Sequence, residues 1–178
     1  MKPRILIDKI NIDKLRSLKE DILRLDIIIP LLRFIHAENI VDMHGAGEKG
    51  VDVYFEHKDI FGHQRRFGIQ TKCGDINSKS KPQNNSIMTI LNQIEMAFTN
   101  GVKFGTSAKG GKIHLDGFFV ITNGNVNEGA AEHIGNCRNK YSYVQIIDGG
   151  ELMEIIKNKE ILKKQNIRLI NELVLKTK

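Results

Sequence analysis

A chain of 178 residues with 40% hydrophobic content has apolar material for one core, which points to one domain with small extensions. No run approaches the roughly 18 to 20 apolar residues that span a bilayer, and the start, MKPRILIDKINID, lacks both an uninterrupted apolar stretch and a small-residue cleavage site, so the expected setting is the cytoplasm with no membrane partner. Lys and Arg number 27 against 21 Asp and Glu, and the resulting +6 charge and pI near 9.3 favour a polyanionic partner such as nucleic acid.

In chain order, residues 4 to 12 alternate loosely and form an N-terminal arm over 1–12. From Asp13, apolar residues at Leu15, Leu18, Ile22, Leu23, Ile27, Leu31 and Leu32 follow a helical period. Pro30 falls inside that pattern and predicts a kink or break near Ile29, because proline removes a donor and clashes with the preceding turn. NIVDMHGAGEKG reads as a short strand entering a Gly-rich loop, followed by strands over Val51 to His57 and Arg65 to Cys73 around the turn DIFGHQ. GDINSKSKPQNN is a surface loop. The helix after it, SIMTILNQIEMAF, has Ser86 as its N-cap and buries Ile87, Ile90, Leu91, Ile94 and Phe98. After a second loop, LDGFFVITNG is a continuous apolar run, as expected of a strand covered on both faces. NEGAAEHIGNC is then a helix, YVQIID a strand and GELMEIIKNKEILKK a helix, while QNIRLINELVLKTK suits either a helix or an edge strand. The order predicts an α/β fold, a mixed sheet flanked by helices on both faces, with the domain over 13–158 and a C-terminal extension over 159–178. Cys73 and Cys137 belong to no CxxC and are too few for a disulfide framework; they read as small interior or edge residues.

The hairpin carries the chemistry. Val51, Val53 and Phe55 share one face of its first strand by the period of two, which sets Asp52, Tyr54 and Glu56 on the other. In the second strand Phe67 and Ile69 share the apolar face, and Gly68, Gln70 and Lys72 oppose them. A turn centred near Phe61 and Gly62 pairs position 52 with about position 71, so Asp52 falls between Gln70 and Lys72. A carboxylate and an amide oxygen suit a hard cation, and a nearby lysine can orient the water that attacks phosphorus. The plainer alternative is an Asp52–Lys72 ion pair on a solvent-facing side of the sheet.

GVDV, then GIQTK after a Gly-containing turn, the helix ILNQIEMAF, DGFFVITNGNVNEGAAEHI and YVQIIDGGELMEII together resemble the Mrr-like branch of the PD-(D/E)xK restriction-endonuclease superfamily, over about residues 20 to 157. The resemblance implies a restriction-endonuclease-like fold and a magnesium- or manganese-dependent nuclease, above all a DNA endonuclease of restriction or defence type. It implies Asp52 as metal ligand, Gln70 on the metal or its water, the Thr71 carbonyl as a further ligand, and Lys72 as the group that positions the nucleophile and stabilises developing charge. An upstream acid is also usual in the superfamily: Glu48 fits first, then Asp26, with Glu38 a third candidate. Gln93 matches a helical glutamine that faces the active-site end in the family. Gln70 stands where Asp or Glu is commoner, which removes one negative charge from the site. His44, Lys79 and Lys81 are candidate phosphate contacts, as are Lys103, Lys109 and Lys112, while His63 reads as an exposed turn residue. DNA is the expected partner, with RNA and a homodimer left open. The rival readings are a non-cleaving nucleic-acid-binding module on the same fold and a protein-interaction domain.

Overall fold

The structure is a computed structural model that describes residues 10–43, 50–78, 86–102, 112–141 and 143–158. The Asn11 side chain accepts from the Lys14 N–H at 2.9 Å and so caps helix α1, Ile12–Arg16. The helical pattern breaks after α1, at residues 17–19, and not at Ile29. The buried Asn123 amide explains where: it donates to the carbonyls of Leu15 at 3.0 Å and Leu18 at 2.9 Å, supplying partners that a helix end lacks. Beyond the break, α2 (Glu20–Ile22), a π-helical stretch (Leu23–Ile28) and α3 (Ile29–Phe34) run on without interruption through Pro30. The Ile29 N–H bonds back five residues to Arg24, and this wider turn lies just where the Pro30 ring would otherwise meet the carbonyl of residue 26.

Five strands follow: β1 (Glu38–Asp42), β2 (Val53–Lys58), β3 (Gln64–Lys72), β4 (Gly117–Thr122) and β5 (Val144–Ile147), ordered β1-β2-β3-β4-β5 in one sheet. The first three are antiparallel neighbours, while β4 runs parallel to β3 and β5 parallel to β4. Parallel pairing demands crossovers, and these are α4 (Ile87–Asn100) and α5 (Glu128–Asn136). Ser86 caps α4 through the Thr89 N–H at 3.2 Å, and Asn127 caps α5 through the Ala130 N–H at 2.9 Å. A last described helix, α6, covers 149–158.

Two cores sandwich the sheet. Val53, Phe55, Ile69 and Ile121 pack against Leu15, Leu23 and Ile27 of the N-terminal helices and against Leu152, Met153 and Ile156 of α6. On the other face, Tyr54, Phe118 and Val120 pack against Ile90 and Ile94 of α4 and Ala130 and Ile134 of α5. Each fully buried side chain of this kind contributes roughly 1.5–3 kcal/mol, so neither layer is dispensable. The expected arrangement, a mixed sheet with helices on both faces, is the one seen. In α4 the buried residues include Ala97, whereas Leu91 and Phe98 are half-buried at the margin of the second core. No helix among the described residues is long and apolar enough to cross a membrane. Most of the N-terminal arm and the whole 159–178 extension lie outside the described residues.

Candidate active site

The β2–β3 turn sets the hairpin register. Asp59 accepts from the N–H groups of Phe61 and His63, both at 2.9 Å, and Gly62 takes φ +83° between them. Val53 consequently pairs with Ile69, one residue away from the alignment expected of a turn centred between Phe61 and Gly62. Regular pairing of β2 stops there. The Asp52 N–H donates to the Ile69 carbonyl at 2.8 Å, and the Asp52 carbonyl accepts from Met43 at 2.8 Å, so the backbone of Asp52 is clamped between β1 and β3. The irregularity corrects the expected face of Val51, which packs with Tyr54 in the second core and not with Val53 and Phe55.

Gly50 makes this approach possible. Its φ is +82°, and a Cβ there would stand 2.5 Å from the backbone oxygen of Gln93 on α4. Gly50→Ala is therefore expected to destabilise the protein by roughly 2 kcal/mol or more, from left-handed strain and overpacking together. Urea melting measures it; an unchanged midpoint would mean that the 50–52 segment does not hold this conformation.

Asp52 is 2% exposed, Gln70 3%, Thr71 0% and Lys72 5%, so all four of these site residues are buried. Asp52 Oδ2 accepts three hydrogen bonds, from Gln70 Nε2 at 2.9 Å, from the Thr71 N–H at 2.6 Å and from Thr71 Oγ1 at 2.6 Å. No ion pair joins Asp52 to Lys72, and among the described residues Lys72 has no carboxylate at ion-pair distance. The solvent-facing ion-pair alternative is thereby removed. Gln70 Oε1 is buried without a partner, and so is Gln93 Oε1. Gln70 and Lys72 alternate with Ile69 and Thr71 and pair with Val120 and Thr122 of β4, which sets them on the α4–α5 face of the sheet.

No protein-family model and no curated protein match the chain. Among solved structures, the MspJI restriction endonuclease in complex with a 27-mer oligonucleotide matches over 85% of this chain, with 16% sequence identity and a TM-score of 0.38. The chain spans 31% of that protein's length.

The other predicted residues divide by place. Asp26 is 7% exposed with Oδ2 buried and unpartnered, but its π-helical stretch covers the face opposite to the one shared by Gln70 and Lys72. Glu38 stands at the far end of β1 and pairs with Lys58 at 3.2 Å. His63 is exposed in the turn, 3.5 Å from Asp59, and Lys112 is also exposed. Glu48, His44, Lys79, Lys81, Lys103 and Lys109 lie outside the described residues. Among the described residues no three His, Cys, Asp or Glu side chains gather as a metal cluster. Two contributors went unread in the sequence, the Thr71 hydroxyl and the Asn123 clamp, whose oxygen also accepts from the Gly74 N–H at 2.8 Å just past Lys72. Burial pushes the neighbouring Cys73 thiol up to about 11, with Glu20 adding to the shift, so it stays protonated at neutral pH. A separate cleft of about 380 Å³, lined by Arg65, Phe67, Asp116, Phe119 and Tyr143, contains none of the predicted site residues.

Proposed function

We propose that the chain is a divalent-metal-dependent nuclease of the Mrr-like PD-(D/E)xK type that hydrolyses DNA phosphodiesters, working in the cytoplasm in restriction or defence. The observation that carries this reading is the buried, unpartnered Gln70 Oε1 beside an Asp52 carboxylate whose described hydrogen bonds all fall on Oδ2. An unmet buried oxygen is costly, roughly 1–3 kcal/mol, and asks for a reason. An oxygen-seeking cation supplies one.

Asp52 Oδ1, Gln70 Oε1 and the Thr71 carbonyl are the groups that would hold Mg2+ or Mn2+. A donor set of one carboxylate and neutral oxygens suits Mg2+, which keeps several waters and binds through one or two carboxylates together with substrate phosphate. When bound, such an ion polarises a phosphoryl oxygen and makes its water a better nucleophile. The Lys72 side chain, largely buried on the face of Gln70 and with no described carboxylate at ion-pair distance, is placed to meet charge that develops on the phosphate. The +6 net charge favours a polyanion as substrate.

The test is incubation of the purified chain with supercoiled plasmid, with and without Mg2+ or Mn2+. Nicking that requires the metal is the expected result. Salt-sensitive DNA binding with no cleavage under any metal would replace the nuclease reading with a non-cleaving binding module.

A further inference from the structure

Resting on the nuclease reading of this site, the geometry points to the Thr71 side chain as a positioning residue that turns Asp52 into a one-oxygen ligand and so biases the site toward small cations. Thr71 donates twice to one atom: its N–H and its Oγ1 both reach Asp52 Oδ2 at 2.6 Å. Gln70 Nε2 is the third donor, at 2.9 Å. A carboxylate shares about four lone-pair positions between its two oxygens, so three donors saturate Oδ2 and leave Oδ1 as the oxygen that can coordinate.

The same contacts orient Gln70. With its NH2 group committed to Asp52, its Oε1 is turned away, and that oxygen is the one found buried without a partner. Thr71 is completely buried, so its hydroxyl touches no substrate and acts only through Asp52. Strand propensity does not require the hydroxyl, since valine has nearly the same shape and suits a strand equally well.

Ca2+ takes 6 to 8 oxygens and often engages a carboxylate through both, whereas Mg2+ accepts a single carboxylate oxygen and fills its octahedron with water. Occupying Oδ2 denies Ca2+ the two-oxygen mode. Thr71→Val takes one of the three donors from Oδ2 and loosens the hold on the carboxylate, so that it can turn both oxygens toward a larger ion.

The experiment compares the parent chain with Thr71→Val and Thr71→Ser, titrating each by calorimetry with Mg2+ alone and Ca2+ alone, alongside metal-free thermal melting and plasmid nicking. Thr71→Val is expected to melt cooperatively without metal and to lose about 10- to 100-fold in Mg2+ affinity, the usual effect of removing a group that orients a ligand. Ca2+ affinity should hold or rise, so the preference for Mg2+ narrows. Thr71→Ser, which restores the hydroxyl, should return both values toward the parent. Should Thr71→Val not fold, Thr71→Ala removes the same hydroxyl and is read the same way. A folded hydroxyl-less variant with the parent's ratio of Mg2+ to Ca2+ affinity overturns the positioning role while leaving the nuclease reading intact. A parent chain that binds neither ion and nicks no plasmid overturns both.

Discussion

Replacing Lys72 by methionine is expected to slow plasmid nicking by about 100- to 1,000-fold, the loss typical when one preorganised charge partner of a transition state is removed, while metal affinity holds or rises. The asymmetry comes from what the ammonium opposes and what it assists. It sits two residues beyond Gln70 on the same face, buried to 5% exposure, so its charge is felt through little water. A cation brought near it meets repulsion, whereas the extra negative charge of a phosphorane-like transition state meets attraction. Methionine keeps a buried apolar stem of similar length and removes the charge. Because no described ion pair includes Lys72, metal-free stability should not fall. Metal titration, nicking and melting on the variant and the parent decide the matter. A folded Lys72→Met protein that cleaves at the parent's rate would remove Lys72 from the reaction.

Periodicity carried most of the architecture. Each described helix and strand after the Gly-rich loop lies where the apolar periodicity sets it, and the convergence of Asp52 with Gln70 follows from a turn position correct to within one residue. What periodicity could not carry were contacts made by polar groups over long separations in sequence. Asn123 looks like an ordinary turn residue in ITNGN, yet its amide decides that the first helix ends before residue 17. Thr71 looks like an ordinary strand residue in GIQTK, yet its hydroxyl fixes Asp52. Pro30 is the reverse case, a strong local signal for a break that the π-helical turn before it absorbs. Strict alternation misplaces Val51 because it holds only where the ladder is regular, and β2 leaves its ladder at Asp52.

Asp52 gives the other large effect, and the choice of substitution separates its two duties. Asp52→Ala deletes the acceptor of three buried hydrogen bonds and strands the Gln70 amide, the Thr71 N–H and the Thr71 hydroxyl, a loss expected to reach roughly 3 kcal/mol or more. Metal binding would vanish along with stability, and the two losses could not be told apart. Asp52→Asn behaves differently. Its amide oxygen can occupy the place of Oδ2 and keep the three donors satisfied, while its NH2 group takes the place of Oδ1, where it offers a cation two hydrogens and no lone pair. It also removes a buried negative charge that the metal-free protein holds without an ion-pair partner among the described residues. The metal-free melting temperature of Asp52→Asn should therefore equal or exceed the parent's. The stabilisation that Mg2+ confers on the parent by binding only the folded state should disappear in the variant, and plasmid nicking should fall at least 100-fold. Melting curves taken with and without Mg2+ read both effects in one experiment. A variant that still gains stability from Mg2+ as the parent does would show that the ion binds elsewhere, and the Asp52–Gln70–Thr71 cluster would then be a structural clasp at the end of the hairpin.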